Sequence, residues 1–285
     1  MIQYLYLGRV DYDQALRLQA ELVELRYQER IGNVLLLLEH PPVLTLGRNA
    51  HRANVLASDE LLAQRGVTLH EINRGGDVTY HGPGQLIGYP IFDLRSLRNP
   101  SGDRMGPVDF VRQMEEVLIR LCGVFGLRAG RIAGLTGVWC GVNLDGSEGQ
   151  QAAGPERKIG AIGIHVSRGI TSHGFAFNVR TDLRDFSLIN PCGITDRPVT
   201  SLEREVERPE ELPALEAIAH QAARQFGLVF DQQVLALESL EALRDQAASA
   251  PPASTERKFP AEDTPLKVPA EVERLKHGPE PTFRA

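Results

Sequence analysis

The stretch from Arg74 to Pro90, RGGDVTYHGPGQLIGYP, constrains this chain more than any other. Its five glycines allow backbone conformations that other residues avoid and a close approach of the backbone to a ligand. Five polar side chains between them can hydrogen-bond, and the apolar segment that follows predicts a buried strand. A polar, glycine-rich loop leading into a core strand is typical of a pocket wall. The alternative is a tight turn, which requires neither this length nor so many polar side chains.

The glycine spacing excludes a dinucleotide-binding fold of the Rossmann type. Gly82, Gly84 and Gly88 do not follow the G-x-G-x-x-G pattern, and Pro83 interrupts them. The predicted strand also comes after the glycines, whereas a dinucleotide fingerprint has its strand before them. The chain contains no G-x-x-x-x-G-K-[ST] phosphate loop either.

Composition narrows the class of protein. A chain of 285 residues with 42% hydrophobic content predicts one sizeable core or two small ones. The net charge of -6 and the lack of a basic run argue against nucleic acid as the main partner. The longest apolar run, Val34 to Leu38, is too short to cross a membrane, and the N-terminus lacks a signal-peptide pattern. Three cysteines without metal-ligand spacing fit a reducing compartment, so we expect a cytoplasmic protein.

Hydrophobic periodicity predicts a mixture of helices and strands. Helices are expected at residues 11–27, 56–65, 108–125, 212–226 and 234–246. Strands are expected at residues 33–39, 43–46, 67–72, 86–94, 137–143, 158–166 and 171–179, with a hairpin turn at 168–169. This order predicts an α/β or α+β domain with a mixed sheet over residues 1–246. Residues 247–285 are rich in Pro, Ala and charge, which predicts a disordered or loosely docked tail.

The three cysteines differ in their local sequence. Cys122 lies in a predicted helix and Cys140 in a predicted strand, where a free cysteine usually acts as a small buried hydrophobe. Cys192 lies between Pro191 and Gly193, in a turn that would present its thiol beside backbone N–H groups. An ordinary structural turn remains equally compatible with this pattern.

A nucleophilic cysteine needs a neighbouring base or cation, because its thiol is only slightly ionised at neutral pH. Lys158 is the only lysine before residue 258 and opens a glycine-containing strand, so it is the leading candidate. His81, His165 and His173 are further candidates, although a strand histidine is more often packed or hydrogen-bonded. Without H-x-x-x-H or C-x-x-C spacing, we expect no metal.

Taken together, four ordered motifs closely resemble the lipoyl(octanoyl) transferases, a family of octanoyl-carrier-protein:protein octanoyltransferases. The resemblance covers about residues 5–230 and rests on segments 74–85, 158–165, 172–179 and 186–194. The polar segment 145–157 and the tail are additions to the family pattern.

This resemblance implies a fold shared with biotin- and lipoate-protein ligases, with the acyl chain in a tunnel. It implies that Cys192 forms an acyl thioester and that Lys158 lowers the pKa of the Cys192 thiol and shuttles protons. The implied substrate contacts are Arg74, Gly75, Gly76, Asp77, Val78, Thr79, Tyr80, His81, Ala161, Ile162, Gly163, Gly174, Phe175 and Ala176. The glycines at 75, 76, 160, 163 and 174 are expected to leave room for the acyl chain.

The implied reaction moves an octanoyl group from octanoyl-acyl carrier protein to the target lysine of a lipoyl domain. The acceptors would be the E2 subunits of 2-oxoacid dehydrogenases and the H protein of glycine cleavage, with no cofactor and a monomeric enzyme. An ATP-dependent lipoate ligase of the same fold is the main alternative, and it would not need Cys192. The presence of both Cys192 and Lys158 disfavours a non-catalytic scaffold. A generic cysteine hydrolase is a third alternative, and it would need a histidine base and a pocket open to water rather than to a protein amine.

The implied protein partners are commonly acidic. We therefore expect a basic rim around the site, formed by Arg48, Arg74 and Arg168.

Overall fold

The computed structural model describes residues 1–142, 155–190 and 197–250 of the chain, which form two β-sheets. The strands of the large sheet are β1 (Ile2–Arg9), β2 (Asn33–Glu39), β6 (Gln85–Ile91), β7 (Ala129–Ile132), β8 (Leu135–Cys140), β9 (Arg157–Ser167), β10 (Ile170–Asn178) and β11 (Val234–Ala236). Their order is β11-β1-β2-β6-β10-β9-β8-β7. The small sheet has the order β4-β3-β5, with β3 (Val43–Leu46), β4 (Thr68–Glu71) and β5 (Val78–His81).

The large sheet is mixed, as predicted. Strand β1 is parallel to β2 and β11, whereas the pairings from β2 through β6, β10, β9 and β8 to β7 are antiparallel. In the small sheet, β3 is parallel to β4 and antiparallel to β5. The glycine-rich stretch therefore supplies one strand to each sheet, and the turn between β5 and β6 connects the two.

Helices cover both faces of the large sheet. The α-helices are α1 (Tyr12–Tyr27), α2 (Asp59–Gln64), α3 (Pro107–Val124), α4 (Leu202–Glu205), α5 (Leu215–Phe230) and α6 (Leu240–Ser249). Helices α3 and α5 pack on one face, in a core that includes Leu35 and Leu37 of β2. Helices α1 and α6 pack on the other face, against Val34, Leu36 and Leu38. The continuous apolar run of β2 is thus explained, because both of its faces are buried.

Several predicted elements are confirmed. Helix α1 begins after Asp11, whose carboxylate accepts hydrogen bonds from the backbone N–H groups of Asp13 and Gln14. Helix α3 has nearly the predicted bounds, and Gly126 follows it with φ +73°, the left-handed conformation that ends many helices. The predicted hairpin turn at 168–169 connects β9 to β10.

The helix predicted at residues 234–246 is wrong in its first half. Residues 234–236 form β11, because Val234 pairs with Ile2 and this edge pairing overrides the local helical pattern. Helix α6 starts only at Leu240 and continues to Ser249, past the expected domain end at 246, with Ala247 only 3% exposed. The helix predicted at 56–65 is shorter, since α2 is six residues long. Residues 251–285 and most of the 145–157 segment lie outside the described residues.

None of the helices in the described ranges combines the length and the apolar character that spanning a bilayer requires.

Candidate functional site

A cavity of ≈ 400 Å³ lies at the glycine-rich stretch and is lined by strands of both sheets together with Tyr12 of α1. Lys158 is part of its wall. Of the predicted substrate contacts, those that line the cavity are Arg74, Gly75, Gly76, Asp77, Val78, Thr79, His81, Ala161, Ile162, Gly163, Gly174, Phe175 and Ala176. The structure therefore brings three separate segments of sequence to one cavity.

Tyr80 is the predicted contact that does not line this cavity. Successive side chains of a strand point to opposite faces, so Tyr80 points away from the side of its neighbours Thr79 and His81. Its hydroxyl donates a hydrogen bond to Asp185 Oδ2 at 2.9 Å, and its ring packs edge-on against Phe186. Tyr80 thus contacts the 3-10 helix Leu183–Leu188, which ends four residues before Cys192 in the sequence.

The glycine-rich loop is fixed through its backbone. The Gly75 N–H donates to the carbonyl oxygen of Ile164 at 2.9 Å, which joins the loop to β9. A Cβ at Gly163 would lie 2.7 Å from the Gly75 carbonyl oxygen, so only glycine permits this approach. The Cβ positions of Gly160 and Gly174 are likewise occupied by neighbouring protein atoms. At these three positions the space of a side chain is filled by the protein itself, so Gly160, Gly163 and Gly174 allow close packing and do not leave room for an acyl chain.

Arg74 is a buried cation in the cavity wall and does not belong to a surface rim. It is only 8% exposed, and its guanidinium donates to the hydroxyl and the carbonyl oxygen of Thr45, both at 2.8 Å. Arg168, another expected rim residue, pairs with Glu24 at 2.7 Å and stacks on the ring of Tyr27. Arg48 and Arg168 are both exposed, as a rim requires, although Glu24 partly neutralises the charge of Arg168.

The backbone of Lys158 is held on two sides. It is paired with Trp139 of β8, and the segment 198–200 adds two hydrogen bonds, from the Lys158 N–H to Pro198 O and from the Thr200 N–H to Lys158 O, both 2.9 Å. The Lys158 Nζ lies 4.7 Å from the centre of the Trp139 ring, a cation–π contact. The pairing register of β8 and β9 shifts at this point, between Val138 and Trp139.

Two of the three cysteines are core residues, as predicted. Cys122 and Cys140 are buried and free, and burial raises the pKa of the Cys122 thiol well above its usual range. Burial also raises the pKa of Cys140 to about 12. Neither thiol ionises at neutral pH. Cys192 lies outside the described residues.

The described chain just before Cys192 is joined to the glycine-rich loop. The Asn190 N–H donates to the carbonyl oxygen of Asn54 at 2.7 Å, and the Asn54 side-chain amide donates to Asp77 Oδ2 at 2.7 Å. Asn54 therefore links Asp77 of the cavity wall to a residue two positions from Cys192.

A group of aromatic and histidine side chains beside the cavity is not predictable from the sequence. His40 Nδ1 bonds to the Val10 carbonyl oxygen and Nε2 to the Tyr89 hydroxyl, both at 2.7 Å. Tyr12 lies against His40 with a ring separation of 5.0 Å and is stacked with His81 at 6.3 Å. These residues come from distant segments, so no local pattern indicates that they meet.

Two residues within the motifs line the cavity although they were not among the predicted site residues. Gln85 and Asn178 both line the cavity, and the amide of Gln85 contacts His81 and Asn178. Of the other predicted bases, His173 lines the cavity, whereas His165 lies on β9 and is not among the lining residues. Within the described ranges, no group of three or more His, Cys, Asp or Glu side chains is placed to hold a metal ion.

Three histidines at this site are buried in their neutral form. Burial lowers the pKa of His40 to about 4 and that of His81 to about 3, with a further lowering of the His81 pKa by nearby His40. Burial, assisted by the charge of Arg74, lowers the pKa of His173 to about 3. These three imidazoles are consequently uncharged at neutral pH.

These buried histidines predict acid lability. Below pH 6.5 the unfolded chain protonates them and the folded chain does not, so the free energy of unfolding falls as the pH falls. Between pH 6.5 and pH 5, the expected loss is about 2 kcal/mol for His40. Urea unfolding followed by the fluorescence of Trp139, the single tryptophan, measures it. His40→Gln should flatten the pH slope and His51→Gln, at an exposed position, should not; equal slopes in all three proteins would contradict the prediction.

Comparison with known proteins shows which family this chain belongs to. The family model described as the lipoyl protein ligase A/B catalytic domain matches residues 11–226. A protein named octanoyltransferase from Acidobacterium capsulatum is 62% identical, and the match covers 84% of this chain and 94% of that protein. A protein of the same name from Koribacter versatilis is 53% identical, with 96% and 97% covered. The second match extends beyond residue 247 into the tail.

Solved structures share the fold at low sequence identity. A bipartite lipoate protein ligase from Thermoplasma acidophilum superimposes with a TM-score of 0.59 at 18% identity, covering 87% of this chain and 91% of that chain. A lipoate-protein ligase A bound with ATP superimposes with a TM-score of 0.54 at 18% identity, covering 87% and 95%. The predicted α/β class, a mixed sheet packed by helices as in lipoate-protein ligases, is confirmed.

Proposed function

Since the chain belongs to the lipoyl protein ligase A/B catalytic domain family and is an acyltransferase, we propose that it transfers an octanoyl group from octanoyl-acyl carrier protein to the target lysine of lipoyl domains. The relatives' shared name, octanoyltransferase, supports the acyl group. The observation that carries the mechanism is the placement of Lys158 in the wall of the cavity formed by the motif residues. The acceptors would be E2 subunits of 2-oxoacid dehydrogenases and the H protein of glycine cleavage.

We assign the nucleophile to Cys192. The other two cysteines are buried thiols that do not ionise at neutral pH, which leaves Cys192 as the remaining thiol. Asn190, two residues before Cys192, is hydrogen-bonded to Asn54, which in turn bonds to Asp77 of the glycine-rich loop. An ammonium group beside a thiol favours the thiolate, and Lys158 is the amine that the cavity wall offers.

The reaction would then proceed in two half-reactions. The Cys192 thiolate attacks the thioester carbonyl, the bond from the carbonyl carbon to the carrier sulfur breaks, and the carrier thiol leaves with a proton from Lys158. In the second step the acceptor amine attacks the new thioester. Neutral Lys158 takes a proton from the amine, the amide forms, and the Cys192 thiolate leaves. No ATP is needed, because one thioester replaces another before the amide forms.

The cavity suits an apolar acyl chain along part of its wall. Ala161 of β9 lies directly opposite Ala176 of β10, and both line the cavity together with Ile87 and Ile162. Burial of each methylene contributes about 0.8 kcal/mol, close to a fourfold preference, so the length of such a cavity can select the length of the chain.

A larger side chain at 161 should shorten the preferred acyl chain. Ala161→Leu adds three carbons to the cavity wall, so octanoyl transfer should fall relative to hexanoyl transfer by about tenfold or more. The ratio of kcat/KM for the two acyl-carrier substrates measures this change. Ala63→Leu, at an exposed position of α2, is the matched control. An unchanged ratio in Ala161→Leu would show that residue 161 does not contact the chain.

The main alternative is an ATP-dependent ligase, since lipoate-protein ligases share this fold. Initial rates should separate the two. A transferase gives parallel double-reciprocal lines for carrier thioester and lipoyl domain without ATP, as in any ping-pong reaction. Transfer that appears only with free octanoate and ATP would overturn the proposed mechanism.

A further inference from the structure

Gln85 is the last residue of the glycine-rich motif and the first residue of β6, and its side chain is hydrogen-bonded to three residues around the cavity. It is only 1% exposed. Its Oε1 lies 2.8 Å from His81 Nδ1, and its Nε2 donates to Asn178 Oδ1 at 2.9 Å and to the Tyr80 carbonyl oxygen at 3.3 Å. Gln85, His81 and Asn178 all line the cavity.

Backbone carbonyls fix the direction of every hydrogen bond in this group. A carbonyl oxygen can only accept, so the 2.9 Å contact with Thr200 O must come from the amide nitrogen of Asn178. Asn178 Oδ1 therefore faces Gln85 and accepts from its Nε2, which turns Gln85 Oε1 toward His81. Because that oxygen can only accept, the hydrogen of the imidazole is on Nδ1.

The other ring nitrogen of His81 is left as an acceptor. A buried neutral imidazole with its hydrogen on Nδ1 carries a lone pair on Nε2. None of the described residues donates a hydrogen bond to this nitrogen, although His81 is only 8% exposed. Since His81 lines the cavity, the donor that matches Nε2 is a group of a ligand bound there.

We propose that Gln85 is a positioning residue that keeps His81 a hydrogen-bond acceptor, and that His81 Nε2 accepts an N–H of a substrate during acyl transfer. The second half rests on the proposed function. The N–H comes either from the amine of the acceptor lysine or from an amide of the carrier's thioester arm. The same hydrogen-bonded group ends at Thr200, whose N–H donates to Lys158 O at 2.9 Å. One series of hydrogen bonds therefore connects the side chain of His81 to the backbone of Lys158.

The tautomer is tested on the wild-type protein without any substrate. Long-range ¹H–¹⁵N spectra of protein labelled at histidine distinguish the two neutral tautomers and the imidazolium. His81, assigned by the signal lost in His81→Phe, should be the neutral Nδ1–H form at pH 7. An Nε2–H form or an imidazolium would overturn the proposal, whatever the outcome for transfer. Gln85→Met should release the fixed tautomer, whereas Gln3→Met, at a buried glutamine outside the cavity, should not.

The role in transfer is tested by the kinetics of the two half-reactions. Loss of one hydrogen bond in Gln85→Met should lower kcat/KM by about tenfold for the substrate that supplies the N–H. A loss confined to the lipoyl domain assigns the N–H to the acceptor amine, and a loss confined to the thioester assigns it to the carrier arm. Gln3→Met is again the control. Unchanged values for both substrates would overturn the proposal.

A double-mutant cycle separates positioning from a general structural effect. If Gln85 acts through His81, adding Gln85→Met to His81→Phe should cause less than about a twofold further loss. Independent losses that multiply would contradict the proposal. A missing acyl adduct on Cys192 would defeat only the proposed function, because the tautomer and its dependence on Gln85 are measured separately.

Discussion

Replacing Lys158 by methionine is expected to lower octanoyl transfer at neutral pH by a factor of about 10³, the range of a lost acid–base group. Methionine keeps the length of the side chain and its contact with the Trp139 ring but removes the amine. The thiol of Cys192 would then lose its cation, and the acceptor amine would lose the group that takes its proton. Steady-state rates with saturating carrier thioester and lipoyl domain measure the loss.

Arginine at position 158 gives the sharper control. Lys158→Arg keeps a positive charge over Trp139, but a guanidinium does not deprotonate in proteins and cannot shuttle a proton. We expect it to restore less than about a tenth of the lost rate. Arg157→Lys, one residue before, leaves the cavity wall unchanged and should retain activity. A Lys158→Met enzyme within tenfold of the wild type would show that Lys158 is structural.

Gly174→Ala is expected to destabilise the fold by about 3 kcal/mol or more, beyond the usual cost of an overpacked core residue. A Cβ at this position would overlap the carbonyl oxygen of Gly88 and lie 2.6 Å from Pro90 Cδ. These atoms belong to β6, which is hydrogen-bonded to β10, so relief requires movement of a central strand. Urea unfolding at pH 7 measures the change.

The matched control for this substitution is in α3. Gly123 has open space where its Cβ would be, and alanine is a better helix former by about 1 kcal/mol. Gly123→Ala should therefore stabilise the protein slightly. If both alanine variants had the same stability, the close contact between β10 and β6 would not be a property of the protein in solution.

The sequence predicts best those elements whose pattern is set by the core. Strand β2 has the predicted bounds, because its unbroken apolar run can be satisfied only by burial on both faces. Helix α3 is predicted nearly to the residue, since its apolar stripe is bounded by Pro107 and Gly126. In both cases local chemistry and tertiary packing require the same structure.

The elements that escape prediction depend on distant partners. Residues 234–236 look helical in isolation, and only the exposed edge of β1 makes them a strand. His40 lies between β2 and a pair of prolines, yet it is completely buried and bonds to the Tyr89 hydroxyl. Such contacts follow from the fold, and no spacing along the chain encodes them.

For the site itself, motifs predicted the wall of the cavity but not its hydrogen bonds. Arg74 was expected both as a substrate contact and at the surface, and its bonds to Thr45 explain why it is buried. Tyr80 was grouped with its neighbours, although strand alternation turns it to the opposite side. The role of Gln85 follows only from its partners, because His81 and Asn178 are brought to it by two other strands.

The central claim is a covalent octanoyl thioester on Cys192, and intact-protein mass spectrometry tests it most directly. The purified protein is mixed with octanoyl-acyl carrier protein without ATP, beside Cys192→Ser. The account predicts one added octanoyl group on the wild type alone, located at Cys192 by peptide mapping and discharged when a lipoyl domain is added. No adduct on the wild type, with transfer only in the presence of ATP and free octanoate, would contradict it and make this chain a ligase.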